Sequence, residues 1–225
     1  MSIPPSKIQL DFDRIADLPE AAWNHNDHYA RFLLEQLPAS SDMDALEIGC
    51  GTGRFTRLLA SRYRRVLALD LSPHMIERAR EQSREYSNIE YCVADALTYP
   101  LASRQFGCVA SVATLHHLPL DQILSIMREA LGLNGTLLAL DLFRAESLAD
   151  LCASAVAVPV NLLFNLIRNG RVSEPAEVRA AWVEHGRTDE YLSLAQVRKI
   201  CAAILPGARI NRLLLWRYSI IWKKE

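Results

Sequence analysis

The chain has 225 residues, half of them hydrophobic, with 25 basic against 26 acidic side chains and a formal net charge of −1. That balance excludes a polybasic surface for nucleic acid or anionic lipid, and the length suits one α/β domain with a single core. Five cysteines, Cys50, Cys92, Cys108, Cys152 and Cys201, are odd in number, widely spaced and mostly set in apolar runs, so reduced thiols in a cytoplasmic protein are expected, with neither a disulfide framework nor a metal site.

The N-terminus carries Pro4-Pro5 and soon turns acidic instead of presenting a basic-then-apolar leader. No charge-free run reaches the roughly 18 residues of a membrane span, so stable membrane insertion is not expected. Residues 1–26 are polar and aromatic without a clear period, and no element is predicted there. From Asp27, taken as an N-cap, Ala30, Leu33, Leu34 and Leu37 mark the stripe of a helix that Pro38 stops.

Next comes Asp44-Ala-Leu-Glu-Ile-Gly-Cys-Gly-Thr-Gly53. Ala45 to Ile48 suits a buried strand, because Gly49, Gly51 and Gly53 cut the apolar run off at once. Glycines at alternate positions clear side chains from the path of a ligand, and a helix starting near Gly53 turns its free N–H groups to the same place. Phe55, Leu58 and Leu59 begin that helix, and Arg64-Arg65 are read as its exit. Val66 to Asp70 is a second apolar run ending in a carboxylate, where a βαβ unit accepts bonds from ribose hydroxyls. The spacing G-x-G-x-G differs from the G-x-G-x-x-G of a pyrophosphate binder, and Glu47 would repel a pyrophosphate, so a cationic nucleoside suits the turn better. Ser72-Pro73 reads as the cap and first residue of a helix, which leaves Asp70 at a strand's carboxyl end.

Ile89 to Ala94 is a third strand with Asp95 beyond it, and Phe106 to Val112 a fourth. Thr114, His116 and His117 follow on a loop. Leu118-Pro119 then introduces a helix with Leu120, Ile123, Leu124, Met127 and Leu131 on one stripe, ended by Gly132. Asn134-Gly135 turns into a fifth strand, Thr136 to Leu142, with Asp141 near its end.

At these residues the chain resembles the class I S-adenosylmethionine (SAM)-dependent methyltransferases, in their small-molecule, type 11-like form. ALEIGCGTGRF at 45–55 is similar to the family's first motif, and VLALDLSPHMI at 66–76 to its second strand with the ribose-binding acid, Asp70. VADAL at 93–97 resembles the third motif, whose acid, Asp95, would bond the adenine amino group; FGCVASVATLHHL at 106–118 resembles the fourth strand and its loop. The family's fourth strand commonly opens Phe-Asp, whereas here Phe106 is followed by Gly107, and no role is carried onto that position. The resemblance implies a Rossmann-like, doubly wound seven-stranded sheet, mostly parallel with an antiparallel last strand. It also implies SAM as cofactor, bound by Glu47, Gly49, Cys50, Gly51, Gly53, Asp70, Leu71, Met75, Asp95, Ala96 and Val112. His117 and, second to it, His116 lie on the loop that meets the acceptor, where a neutral imidazole could take a proton as the methyl arrives. Asp141 and Tyr29 are weaker candidates.

From Arg144 to Glu190 the alternation of strand and helix breaks. Ala153 to Ile167 is apolar almost all round and ends at Asn169-Gly170, and a helix capped by Ser173 is expected from Glu174 to His185, stopped by Gly186. Residues 144–190 are read as a helical lid and 1–38 as an N-terminal cap on a single methyltransferase domain. A membrane-lying segment is the rival reading, opposed by the lack of a Lys/Arg row. Ser193-x-x-Gln196 is a capping box for a helix to Leu205. Arg209 to Leu215 and Arg217 to Lys223 match the last two strands, with Trp216, Tyr218, Ile220 and Trp222 expected on one face.

The expected activity is transfer of a methyl group from SAM to a small molecule, most simply at oxygen or nitrogen. Nucleic acid is not the expected acceptor: Ala113-Thr-Leu-His stands where a base-holding Asn/Asp-Pro-Pro-aromatic stretch would, and Cys108 lies mid-strand. Two alternatives stay open, a C-methyltransferase of a lipid-like quinone or sterol, suggested by residues 151–167, and a SAM-binding subunit without turnover. A nicotinamide dehydrogenase is opposed by the glycine spacing.

Overall fold

The structure, a computed structural model, describes residues 5–101, 105–187 and 189–225. The strands are β1 (Ser41–Ile48), β2 (Tyr63–Asp70), β3 (Ile89–Val93), β4 (Phe106–Val112), β5 (Leu131–Leu142), β6 (Arg209–Arg212) and β7 (Arg217–Lys223). They form one seven-stranded sheet in the order β3-β2-β1-β4-β5-β7-β6. The first five are parallel, and β7 runs antiparallel between β5 and β6. Strand order reverses between β1 and β4, and the crevice outside the carboxyl ends there is where open α/β sheets take ligands.

The central strands are buried on both faces, which is why they read as continuous apolar runs. Leu46, Ile48, Leu67, Leu69 and Val109 face α5 (Leu120–Ala130) and α8 (Leu194–Ile204), meeting Ile123, Leu124, Met127 and Val197. Ala45, Val66, Cys108, Ala110 and Leu138 face the other way, onto Leu33 of α2 (His25–Leu34) and Leu59 of α3 (Arg54–Ala60). Gly107 belongs to this packing: a Cβ there would come 2.9 Å from Met43 Cβ, so no Asp could stand in its place without displacing that side chain.

Several expected boundaries move. Residues 5–16 form a helix, α1 (Pro5–Ala16), that was not predicted. Its buried Ile15 and Ala16 pack on Met75 of α4 (Pro73–Gln82) and Ala181 of α7 (Ala176–Gly186). Helix α2 is capped by Asn24, not Asp27; Asn24 Oδ1 accepts from the Asn26 and Asp27 N–H groups, and Asp27 closes the capping box by accepting from the Asn24 N–H. Arg64 and Arg65 lie in β2. Strand β5 starts at Leu131 and contains Gly132, because a register shift between Phe106 and Cys108 lets the pairing begin early. Helix α6 (Leu148–Asn169) begins at a Ser147/Asp150 capping box, before the apolar run. Helix α7 begins after Pro175, not Ser173, since proline disfavours helical geometry at the residue before it. Trp216 leaves the expected face of β7: with φ +58° it sits in the turn from β6, packing on the opposite side of the sheet from Tyr218 and Ile220.

Candidate active site

Gly49 N and Cys50 N both donate to Leu69 O, at 2.8 and 3.0 Å, which clamps the turn after β1 onto the end of β2. Gly49 and Gly51 are both at positive φ, for different reasons. At Gly49 a Cβ would lie 2.1 Å from Thr114 Oγ1, so close packing demands glycine. At Gly51 a Cβ meets nothing within 4 Å among the described residues, so the backbone there is bared to a cavity.

Asp70 holds this turn. Its Oδ2 accepts from Gly51 N at 2.8 Å and its Oδ1 from Ser72 N at 2.9 Å, while Ser72 Oγ caps α4 by accepting from Met75 N. Burial pushes the Asp70 carboxyl above its ordinary pKa, against those backbone bonds. Glu47 is buried completely, accepts from Thr56 Oγ1 at 2.5 Å, and is pushed up to about 8, mainly by burial. Asp95 Oδ1 accepts from Leu97 N. The N-terminal segment crosses the turn: Glu20 accepts from Thr52 Oγ1 and Arg54 Nε, and Arg54 also pairs with Asp27 and donates to Ala21 O.

These groups share a cavity of about 880 Å³. The glycine turn and the ends of the neighbouring strands supply Glu47, Gly49, Cys50, Gly51, Asp70, Leu71, Met75, Asp95 and Val112 to its wall. The N-terminal segment, the loop after β4, α6, α7 and β7 supply Trp23, His25, His117, Asn161, Trp182 and Arg217. Three expected site residues stand off the wall. Gly53 is closed by Tyr91, whose hydroxyl would lie 2.2 Å from an added Cβ; Ala96 is in the core; and His116 lies behind His117.

His116 Nδ1 lies 2.6 Å from Asp141 Oδ1, and the His116 backbone N–H donates to Asp141 Oδ2 at 2.8 Å. Asp141 is therefore committed to His116 and is no free base. Tyr29 is engaged too, donating to Leu214 O at 2.6 Å, and burial pushes its hydroxyl up to about 12. The His117 ring packs 3.9 Å from His116, 5.5 Å from Phe12 and 5.0 Å from His185. Burial, helped by His116 and His185, holds its pKa far below the ordinary value, so the imidazole is neutral. Its Nδ1 lies 3.5 Å from Asp189 Oδ1, and its Nε2 is sealed from solvent without a hydrogen-bond partner among the described residues. His116, His117 and Asp189 bring one ligating atom each within 4.8 Å of the others. That is looser than the about 3.4 Å between neighbouring ligands of a tetrahedral zinc.

A family profile described as "Methyltransferase domain" matches residues 45–135, from within β1 to the first residues of β5. An uncharacterized methyltransferase of Mycobacterium tuberculosis is 29% identical over 204 residues, covering 89% of this chain and 96% of that protein. A malonyl-[acyl-carrier protein] O-methyltransferase of Acetivibrio thermocellus is 36% identical over 111 residues, 48% of this chain and 38% of that protein. Among solved structures, the N-methyltransferase NodS of Bradyrhizobium japonicum, in complex with S-adenosylhomocysteine (SAH), superposes with a TM-score of 0.65 at 17% identity, over 96% of this chain and 98% of that one. Residues 45–135 match a methyltransferase domain, and the chain shares the fold of the SAH-bound NodS.

SAM, the methyl donor of such enzymes, fits the residues present. Gly51 leaves a cradle that any side chain would fill, and three carboxyls, Glu47, Asp70 and Asp95, stand around it for a cationic nucleoside. Reading the sequence missed Arg217 and Asn161 on the far wall. Arg217 had a signal: it is the one charge at the start of a strand that is otherwise apolar through Trp222, apart from Ser219.

Proposed function

We propose that the chain is a class I SAM-dependent methyltransferase acting on oxygen or nitrogen of a small molecule held in the half of the cavity beyond Val112. The observation that carries this reading is the mixed lining of that half, where Trp23 and Trp182 offer apolar area and Asn161 and Arg217 offer polar contacts, with His117 beside them. SAM supplies a methyl group on a cationic sulfur. The displacement is in line, so the chain's task is to align donor and nucleophile, a task worth roughly 7–11 kcal/mol. Glu47, Gly49, Cys50, Gly51, Asp70, Leu71, Met75, Asp95 and Val112 would hold the cofactor, with Gly53 and Ala96 supporting that wall from behind.

His117 is the group we assign to the acceptor's proton. It is neutral, and Asp189 at 3.5 Å would offset the charge of an imidazolium, while His116, held by Asp141, steadies the ring from behind. Because Nε2 is covered, contact with the acceptor requires α1 and α7, which carry Phe12 and His185, to lift and close again. In this reading residues 1–38 and 144–190 are the cap and lid of a single cytoplasmic methyltransferase domain.

The test is to incubate a metabolite extract with SAM, with and without the protein, and follow masses. A gain of one CH₂ that needs both supports transfer to a small molecule. SAH binding with no such product would support the subunit without turnover. A second reading, carbon methylation of a lipid-like quinone or sterol, is favoured by α6, whose Leu148, Leu151, Leu163, Leu166 and Ile167 are exposed. By length and composition alone α6 could cross a membrane. Co-sedimentation with liposomes would favour this second reading.

A further inference from the structure

Arg217 opens β7 opposite Leu142, at the crevice end of the sheet, and is only 8% exposed. Its Nε donates to Asn26 Oδ1 at 3.0 Å, which sets the plane of the guanidinium. Its two Nη groups make no hydrogen bond and no ion pair with the described residues, yet they are not among the sealed polar atoms; Arg217 lines the cavity. Asp141, bonded to His116, acts on the guanidinium through space without bonding it; Glu20 and Asp27 pair with Arg54, and Glu174 pairs with Arg171. Guanidinium N–H groups taken out of water without a hydrogen-bond partner are disfavoured unless something else answers them.

The surroundings present donors. Asn161 Oδ1 accepts from His25 Nε2 at 2.7 Å and from Asn165 Nδ2 at 2.9 Å, so the atom of Asn161 left over is its N–H₂. The turn that delivers Arg217 is itself strained: Leu215 and Trp216 hold φ of +56° and +58°, where such hairpin turns usually place Asn-Gly. Tyr29 secures it by its bond to Leu214 O.

We propose that Arg217 and Asn161 form an oxyanion subsite in the acceptor half of the cavity, so that the methyl acceptor carries a carboxylate or phosphoryl group. The planar fork of Arg217 matches two oxygens of either group, and the anion answers the Nη groups that no described side chain bonds. The subsite rests on the small-molecule reading given above, and a neutral quinone or sterol would leave it unanswered.

Calorimetry on the SAH complex tests it with hexanoate, hexyl phosphate and hexanol, which share an apolar tail and differ in the head group. At least one anion should bind, hexanol should be weaker by at least about tenfold, and Arg217→Gln should lower the anion's affinity by about 10- to 150-fold. The same variant should keep SAH affinity and thermal stability, since the Nη groups bond nothing in the fold and the glutamine amide stands where Nε donates to Asn26; a structural arginine would show the opposite. Asn161→Asp keeps the acceptor for His25 and Asn165 but adds a like charge, and it should weaken the same anion even if Arg217→Gln fails to fold. The preferred head group separates carboxylate from phosphoryl. Hexanol binding as tightly as the anions, no anion binding to the wild type, or unchanged affinity in the variants overturns the proposal. Anion binding without any methylated extract product would leave the subsite standing and remove the small-molecule reading. Products that are all neutral or cationic, without anion binding, would do the reverse.

Discussion

Glu47→Gln tests the electrostatics of the cofactor wall by removing one ionisation while keeping an acceptor for Thr56 Oγ1. The wild-type carboxyl titrates near 4.5 in an unfolded chain and near 8 in the fold, because burial disfavours its charged form. Between those values the unfolded chain has released a proton that the folded one keeps, so stability falls as pH rises, by about 1.4 kcal/mol per pH unit. Over the range from about pH 5 to 8 that accumulates to about 4 kcal/mol, on the order of 10 °C in Tm for a chain of this size. His25, His28 and His117, held low by burial, act in the opposite direction below their ordinary value of 6.5, so the wild-type curve alone is ambiguous. The difference between variant and wild type cancels them. Urea unfolding at several pH values should show Glu47→Gln gaining on the wild type steadily up to about pH 8 and no further. Parallel curves would mean that Glu47 is ionised in the apo fold and that burial does not govern it.

Gly49→Ala should lose about 2–4 kcal/mol of stability, since a Cβ would lie 2.1 Å from Thr114 Oγ1; an unchanged urea midpoint would refute that close packing. His117→Ala should bind SAH normally and lose about 10²- to 10⁴-fold in kcat, with a smaller loss for His116→Ala. Near wild-type turnover in both from about pH 6 to 9 would leave neither as the base. Hydrogen exchange should show α1 and α7 better protected with SAM and acceptor than without, and equal full protection in both states would argue against a lid.

The parallel strands were legible because each is a short apolar run cut by glycine, proline or an acid, and because Asp70 and Asp95 mark carboxyl ends. Asp70 does more than mark a strand's end, since one oxygen accepts from Gly51 N and the other from Ser72 N, which ties the glycine turn to the start of α4. Helix α1 escaped notice because Asp11 and Asp13 interleave the spacing of Ile8, Phe12 and Ile15. Its apolar residues acquire meaning only against Met75 and Ala181, far along the chain. Asn161 read as an interruption of an apolar helix, and nothing local ties it to His25 or to Arg217. The cavity wall around Arg217 is assembled from α2, α6, α7 and β7, so its chemistry appears only once those elements are brought together.

Titration of SAH into the wild type, Gly51→Val and Gly207→Val tests most directly the claim that the cofactor lies on the glycine turn. Both glycines hold positive φ with nothing within 4 Å of an added Cβ among the described residues, so both substitutions carry similar backbone strain, but only Gly51 faces the cavity. The account predicts binding to the wild type and to Gly207→Val and none to Gly51→Val, with the two variants similarly stable. Equal affinity for all three would contradict it.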